Sequence, residues 1–312
     1  MVGGNTVWQH EKKKRDDRLI MKKIRFLIVL LAICCIAMTG CGKTEQTRGT
    51  DLEVRKESAP PAKEGESPLP ASSATGKPET GQENTRVCFV GNSLIDYGNQ
   101  ANFFMDFAEG FGRKISVDKL TWGGARLSDY AAGGFVGKKE IKKRLKGVDI
   151  VVFQDYGGWQ GMETLKALRK LVAWCKKDAA FYYYMYDGDD EEMRASDYQK
   201  LKELNIGLIP KGQMIDALLG MSYNYEELHL ENDFHPNNLN GYMAVLVMNG
   251  TIFQEKSTEL PKEWFFGEKE GRLAAAYAQV LDGIHGDSDE EKWEEFQKIC
   301  KKADMLVQHP IN

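Results

Sequence analysis

Apolar and polar positions begin to alternate in a regular way at Arg86 and continue so to the end of the chain. Short apolar runs predict β-strands at 86–90, 115–121, 149–154, 180–186 and 206–209. Between them, amphipathic stretches predict helices at 99–111, 138–146, 161–177 and 190–204, and after the last strand three more at 239–249, 268–284 and 288–304. Met162–Lys177 shows the helical pattern well. Leu165, Leu168, Leu171, Val172 and Cys175 recur at helical spacing, with lysines on the other face. The run Lys138–Lys146 is strongly basic, yet Ile141 and Leu145 sit four apart within it, which makes it the solvated face of a helix rather than a binding patch. Phe181-Tyr182-Tyr183-Tyr184 reads as a central strand with large side chains directed at both helical layers. Strand–helix alternation of this kind implies one doubly wound α/β domain with a parallel sheet over 86–312, without internal repeat or second domain.

The chain ahead of Arg86 is different in kind. Residues 21–41 run from a basic Met-Lys-Lys-Ile-Arg through twelve apolar residues, Phe26–Ala37, to Met38-Thr39-Gly40-Cys41. A basic start, a short apolar centre and small residues at a cleavage point describe a secretory signal. Twelve apolar residues fall short of the roughly 20 that span a bilayer, which favours cleavage over an uncleaved anchor. The end of the segment resembles the lipobox of bacterial lipoproteins, with Met38 where that pattern usually has Leu. The resemblance implies a signal peptide over 21–40, lipidation of Cys41, and an extracellular, membrane-anchored chain. Met21 then reads as the natural start and residues 1–20 as an upstream mis-start. Residues 41–85 hold five of the nine prolines, many polar residues and no aromatic. Such a segment cannot bury enough apolar surface to offset its chain entropy, so a disordered tether is expected there.

Charge and cysteine usage narrow the partners. The first 40 residues carry eight Lys/Arg and three Asp/Glu, so their removal takes the net charge from −4 to −9. A domain this acidic is poorly suited to nucleic acid, whose affinity comes from neutralising phosphates. Beyond Cys34, Cys35 and Cys41, the cysteines are Cys88, Cys175 and Cys300, scattered and without C-x-x-C spacing. Neither a disulfide framework nor a zinc site is expected, and no cofactor. The acidic run Asp187–Glu192 lacks the order of an EF-hand loop and suits the opening of a helix.

The candidate chemistry starts at Val87-Cys88-Phe89-Val90-Gly91-Asn92-Ser93-Leu94. A buried parallel strand that stops at Gly91 delivers Ser93 to the carboxyl edge of the sheet, where open α/β folds bind ligands. A serine nucleophile needs a base, an orienting group and donors for the oxyanion. Of the five histidines, His10 precedes the signal, His309 is near the end, and His285 lies in a Gly-Ile-His-Gly loop. His229 and His235 remain. His235 is the better base, since Asp233 lies two residues before it, Pro236 follows it, and a helix begins beyond.

These residues resemble, in order, the blocks of the SGNH/GDSL hydrolase family. Gly91-Asn92-Ser93-Leu94 matches the first block, and His235-Pro236-Asn237 with Gly241-Tyr242-Met243-Ala244 matches the last. The resemblance implies a three-layer α/β/α sandwich with a flavodoxin-like parallel sheet. It also implies a serine esterase without metal or cofactor, with Ser93 as nucleophile and His235 as base. The family's acid stands three before the His; here that position is Asn232 and the acid is Asp233. Asp233, Glu231 or a main-chain carbonyl is each able to orient the ring. The family's oxyanion donors map to the Ser93 N–H, to Gly124 (with Gly123 the alternative) and, where the family has Asn, to Gln154. Trp122, Tyr156 and Trp159 are expected near the site, as sugar-stacking or as packing residues. The expected function is a surface-anchored esterase removing acetyl groups from carbohydrate. Two alternatives stay open: a non-catalytic glycan-binding lipoprotein of the same fold, and an O-acyltransferase.

Overall fold

The computed structural model describes residues 84–186 and 189–308, without the side chains of Asp190, Glu191 and Arg272. The mis-start, the signal peptide, Cys41 and the tether as far as residue 83 lie outside the described residues, as do Asp187, Gly188 and His309.

Five strands form the sheet: β1 Thr85–Gly91, β2 Ile115–Thr121, β3 Ile150–Phe153, β4 Ala180–Tyr184 and β5 Ile206–Ile209. All neighbours are parallel and the order is β2-β1-β3-β4-β5. The register pairs Gly91 with Thr121, Val90 with Phe153, Phe153 with Tyr183, and Tyr184 with Ile209. The carboxyl ends of the strands therefore share one edge. The chain reverses its direction of travel across the sheet at β1, so a crevice opens beyond β1 and β3, the usual ligand position in this topology.

Alternation along β1 separates two cores. Val87 and Phe89 face one apolar cluster, and Cys88 and Val90 face the other. The first cluster is covered by helices Gln100–Gly110, Lys211–Leu219 and Asn238–Phe253, the second by Leu127–Ala132, Lys138–Lys146 and Met162–Val172. Two helical layers on one sheet make the three-layer α/β/α sandwich. Asn238–Phe253 is apolar nearly all round and is buried nearly all round, as such a helix must be. It lies beneath helices Arg272–Gly283 and Asp289–Gln308, so the C-terminal helices cover this core helix. Tyr242 marks the junction, edge-to-face with both Phe103 (5.3 Å) and Tyr277 (5.4 Å).

Several expected elements shift. The helix expected at 161–177 ends at Val172, and Trp174 and Cys175 belong to the turn that follows. The helix expected at 190–204 is two pieces, Asp189–Glu192 and Ala195–Glu203. The chain is extended at Arg194, whose N–H donates to the Asp197 carboxylate at 3.3 Å. Lys211–Leu219 and Tyr225–Leu228 were not expected. Both are short, and Gly212 weakens the helical signal of the first. Cys88 and Cys300 are buried free thiols and Cys175 is partly buried and free. Among the described residues no helix is long and apolar enough to cross a membrane.

Candidate active site

β1 delivers its serine through a tight turn. Asn92 is extended and caps helix Ser93–Asp96, its side-chain oxygen accepting the Leu94 N–H at 3.0 Å. Its amide donates to the Ala125 carbonyl at 3.1 Å, joining the nucleophile turn to the loop after β2. Gly91 is required by space, since a Cβ there would come within 2.9 Å of the Gln154 side chain and 3.1 Å of its backbone.

The histidine arrives on a loop that folds on itself. Asp233 N–H donates to the Leu230 carbonyl (3.0 Å) and Leu230 N–H to the His235 carbonyl (2.9 Å). Asn232 supplies the left-handed residue of this turn at φ 58°, a conformation that Asn tolerates better than most residues. Asn237 ends the loop by capping helix Asn238–Phe253, accepting the Asn240 N–H at 3.0 Å.

These two segments meet. Ser93 Oγ lies 2.8 Å from His235 Nε2, and His235 Nδ1 lies 2.8 and 2.9 Å from the two oxygens of Asp233. With Nδ1–H donating to the carboxylate, Nε2 is left to accept the Ser93 O–H. That hydrogen bond from the ring holds the Asp233 carboxyl below its usual range. The imidazole also stacks with Tyr97 (centroids 4.3 Å apart) and with Phe234 (4.4 Å). Beside the pair lies a cavity of about 420 Å³ lined by Ser93, His235, Asp96, Tyr97, Thr121, Trp122, Gly123, Gly124, Tyr156 and Phe234. A larger cavity of about 570 Å³ runs along the edge strand β5, beside Ala180, Asn205, Leu208 and Asp304, and holds neither group of the pair.

No family model matches the chain, and no curated protein matches it. Solved structures do. A protein of the DUF4886 family from Bacteroides uniformis matches at 12% identity and TM-score 0.51, over 73% of this chain and 96% of that one. A candidate SGNH hydrolase from Slackia heliotrinireducens matches at 18% identity and TM-score 0.43, over 55% of this chain and 100% of that one. A psychrotrophic esterase from a Pseudoalteromonas species matches at 13% and 0.41, over 55% and 98%. The fold, a parallel five-stranded sheet between two helical layers, is shared with the Bacteroides uniformis protein.

The residues singled out from the sequence divide into those brought together and those not. Ser93, His235 and Asp233 form one hydrogen-bonded chain, and Gly123 and Gly124 line the cavity beside it. Gly124 has a φ of 70°, a conformation glycine takes without strain. The N–H of Ser93, at the first helical position, has no acceptor within its own helix. Glu231 is exposed, and the carboxylate on His235 Nδ1 is that of Asp233.

Gln154 is placed elsewhere. It is fully buried and absent from the cavity wall; its oxygen accepts the Asn92 N–H at 3.3 Å and its NH2 donates to the Asp155 carbonyl. The longer stem lets the amide fold back under the nucleophile turn, which it braces. Replacing it tests this. An oxyanion donor is worth roughly 10²–10³ in kcat, whereas losing a buried partner costs about 1–3 kcal/mol of stability. Gln154→Ala is expected to show the stability loss in urea unfolding and less than a tenfold fall in kcat. Trp159 is likewise a packing residue, 4% exposed, edge-to-face with Tyr183 and bonded through its indole N–H to Asp197 at 3.3 Å.

Two buried carboxylates, to which the sequence assigned no part in the site, hold the loop that carries Tyr156. Asp155 accepts the N–H groups of Leu127 (3.0 Å) and Tyr156 (2.9 Å) and the Thr164 hydroxyl (2.5 Å). Asp189 accepts those of Trp159 (2.6 Å) and Tyr186 (2.7 Å), linking the loops after β3 and β4. Asp155 was visible as an acid directly after a strand, but burial was not. Burial raises both carboxyls, Asp189 to about 7. A raised carboxyl keeps its proton in the fold while the unfolded chain has lost it. Stability contributed this way declines as pH rises from about 4 to about 7, by up to roughly 1.4 kcal/mol per unit. Urea unfolding across that range is expected to show the decline, and Asp189→Asn to flatten it.

Proposed function

We propose that this chain is a serine esterase of the SGNH type, anchored outside the cell through Cys41, that removes acetyl groups from carbohydrate. The observation that carries the reading is the continuous Ser93–His235–Asp233 chain of hydrogen bonds at the carboxyl edge of the sheet. In the reaction, Ser93 Oγ attacks the ester carbonyl while His235 Nε2 takes the hydroxyl proton. Asp233 holds the ring and stabilises the imidazolium. The N–H groups of Ser93 and Gly124 are the proposed donors to the tetrahedral oxyanion. Collapse breaks the bond to the alcohol, which leaves with the proton from His235. Water then attacks the acyl-serine, His235 removing and returning a proton in the same way, and acetate departs.

The acetyl preference is supported by the small residues Gly123, Gly124 and Thr121 on the cavity wall and by the family resemblance. The anchored location rests on the lipobox-like residues before Cys41. Release of acetate from acetylated xylan or O-acetylated peptidoglycan by residues 86–312, absent with Ser93→Ala, is the expected result. Failure to hydrolyse even p-nitrophenyl acetate would overturn the esterase. Transfer of acetyl between sugars without acetate release would make it a transferase. Metabolic labelling with radioactive palmitate, lost in Cys41→Ser, tests the anchor.

A further inference from the structure

Trp122 and Phe135 are exposed on the surface, 42% and 49% respectively, although each is large and apolar. They stack on one another, centroids 5.3 Å apart and planes 13° from parallel. Phe135 reaches that position from Gly133-Gly134-Phe135-Val136-Gly137 with a φ of 61°, a conformation that is strained for a bulky residue. Strain of this sort persists where the surroundings enforce it and concentrates at ligand-binding positions.

The surroundings are tied to the nucleophile. The Tyr130 ring supports Phe135 at 5.4 Å, and Tyr130 is fully buried with its hydroxyl donating to the Gly91 carbonyl at 2.6 Å. The same carbonyl receives the Trp122 N–H at 3.4 Å. Gly91 is two residues before Ser93. The two rings are thus tied to the serine, Trp122 on the wall of its cavity and Phe135 stacked against Trp122.

The chemistry of the wall selects the occupant. Beside His235 its charged group is Asp96, which pairs with Lys119 at 2.5 Å. Flat apolar faces beside a carboxylate, hydroxyls and backbone N–H groups suit a ligand with an apolar face and a hydroxylated rim, and the neighbouring cation, Lys119, is already engaged by Asp96. A pyranose ring has that shape; a lipid chain would leave Asp96 and Thr121 facing hydrocarbon.

We propose that Trp122 and Phe135 form a stacking subsite for a ring of a neutral glycan, adjoining the sugar whose ester is cut. The position of that ester rests on the function proposed above, but the subsite is testable without turnover. Ser93→Ala protein is titrated with xylohexaose and with chitohexaose by calorimetry. Saturable binding of at least one is expected, weakened tenfold or more by Trp122→Ala and by Phe135→Asn, the latter chosen because Asn accepts a left-handed backbone. Trp122→Phe, which keeps a flat ring, is expected to retain binding, and thermal melting shows which variants are folded. Binding of neither sugar, or binding indifferent to both substitutions in folded protein, overturns the subsite. Selective loss of palmitoyl-ester over acetyl-ester turnover in these variants overturns it in favour of a lipid chain. If the parent hydrolyses no ester but binds the sugar through these rings, the esterase fails and the subsite stands.

Discussion

Ser93→Ala and His235→Ala are each expected to lower kcat/KM for an aryl acetate by roughly 10⁴-fold or more, with the double variant no worse than either single one. Non-additivity is the informative part. In the proposed reaction the serine is a nucleophile only while the imidazole 2.8 Å away can take its proton, so removing either group removes the same step. Rate that survives comes from substrate binding and from the backbone donors. A fluorophosphonate probe should label Ser93 in the parent and fail to do so in His235→Ala. Asp233→Asn is expected to cost about 10²–10⁴-fold, because an amide facing Nδ1 favours the tautomer whose Nε2 already bears hydrogen. Additive losses for Ser93 and His235, or full activity in Asp233→Asn, would show that the hydrogen-bonded chain is not the engine of the reaction.

Gly241→Ala is the second large effect, and it acts without touching a reacting atom. A Cβ at Gly241 would fall onto the carbonyl of Gly98, with that carbonyl carbon 2.7 Å away. Both obstacles are backbone, so no side chain can turn aside. Gly98 follows the helix that begins at Ser93, and Gly241 follows the loop that holds His235. The crossing of the two glycines is therefore where the serine and histidine segments are pressed together, aided by Asn99 Nδ2 donating to Asn238 Oδ1 at 2.7 Å. Overpacking costs about 1–3 kcal/mol or more, and a shift of about 1 Å between catalytic groups costs on the order of 10²-fold in rate. Gly241→Ala should show both losses, with KM changing less than kcat. An alanine variant of full stability and activity would mean that the two segments are positioned by something else.

Tyr242, the next residue, is a packing device. Its ring is buried among Phe103, Phe107, Tyr277 and Phe296. The Gly-Tyr pair thus sets the close approach and then seals it beneath the C-terminal helices.

Strand positions, the parallel sheet and the order of its blocks were legible because each rests on local pattern. Four apolar residues before Gly91 can hardly be other than a buried strand, and a Ser after such a strand has one edge to occupy. The same holds for His235, followed by a proline and a capped helix. Asp233 was half legible: spacing showed that an acid stood near the imidazole, while its aim depended on the Leu230–Asp233 turn with Asn232 left-handed. Gln154 was legible as a polar residue at a strand end, but the direction of its amide was not. Whether an amide points out to a cavity or back beneath a turn depends on the free volume left by Gly91 and Asn92, which are distant in sequence. Trp159 follows the same rule, being buried by Tyr183 and Asp197 from other elements.

By itself the amino-acid sequence determined the α/β alternation, the strand that ends at Ser93 and the loop residue paired with it, because periodicity, glycine and capping act over a few residues. The tertiary structure alone decided that Ser93 and His235, 142 residues apart, share a hydrogen bond, that Asp233 rather than Glu231 faces the ring, and that Trp122 meets Phe135. Those are contacts between distant segments, and their geometry is set by close packing around the sheet rather than by any local preference of the chain.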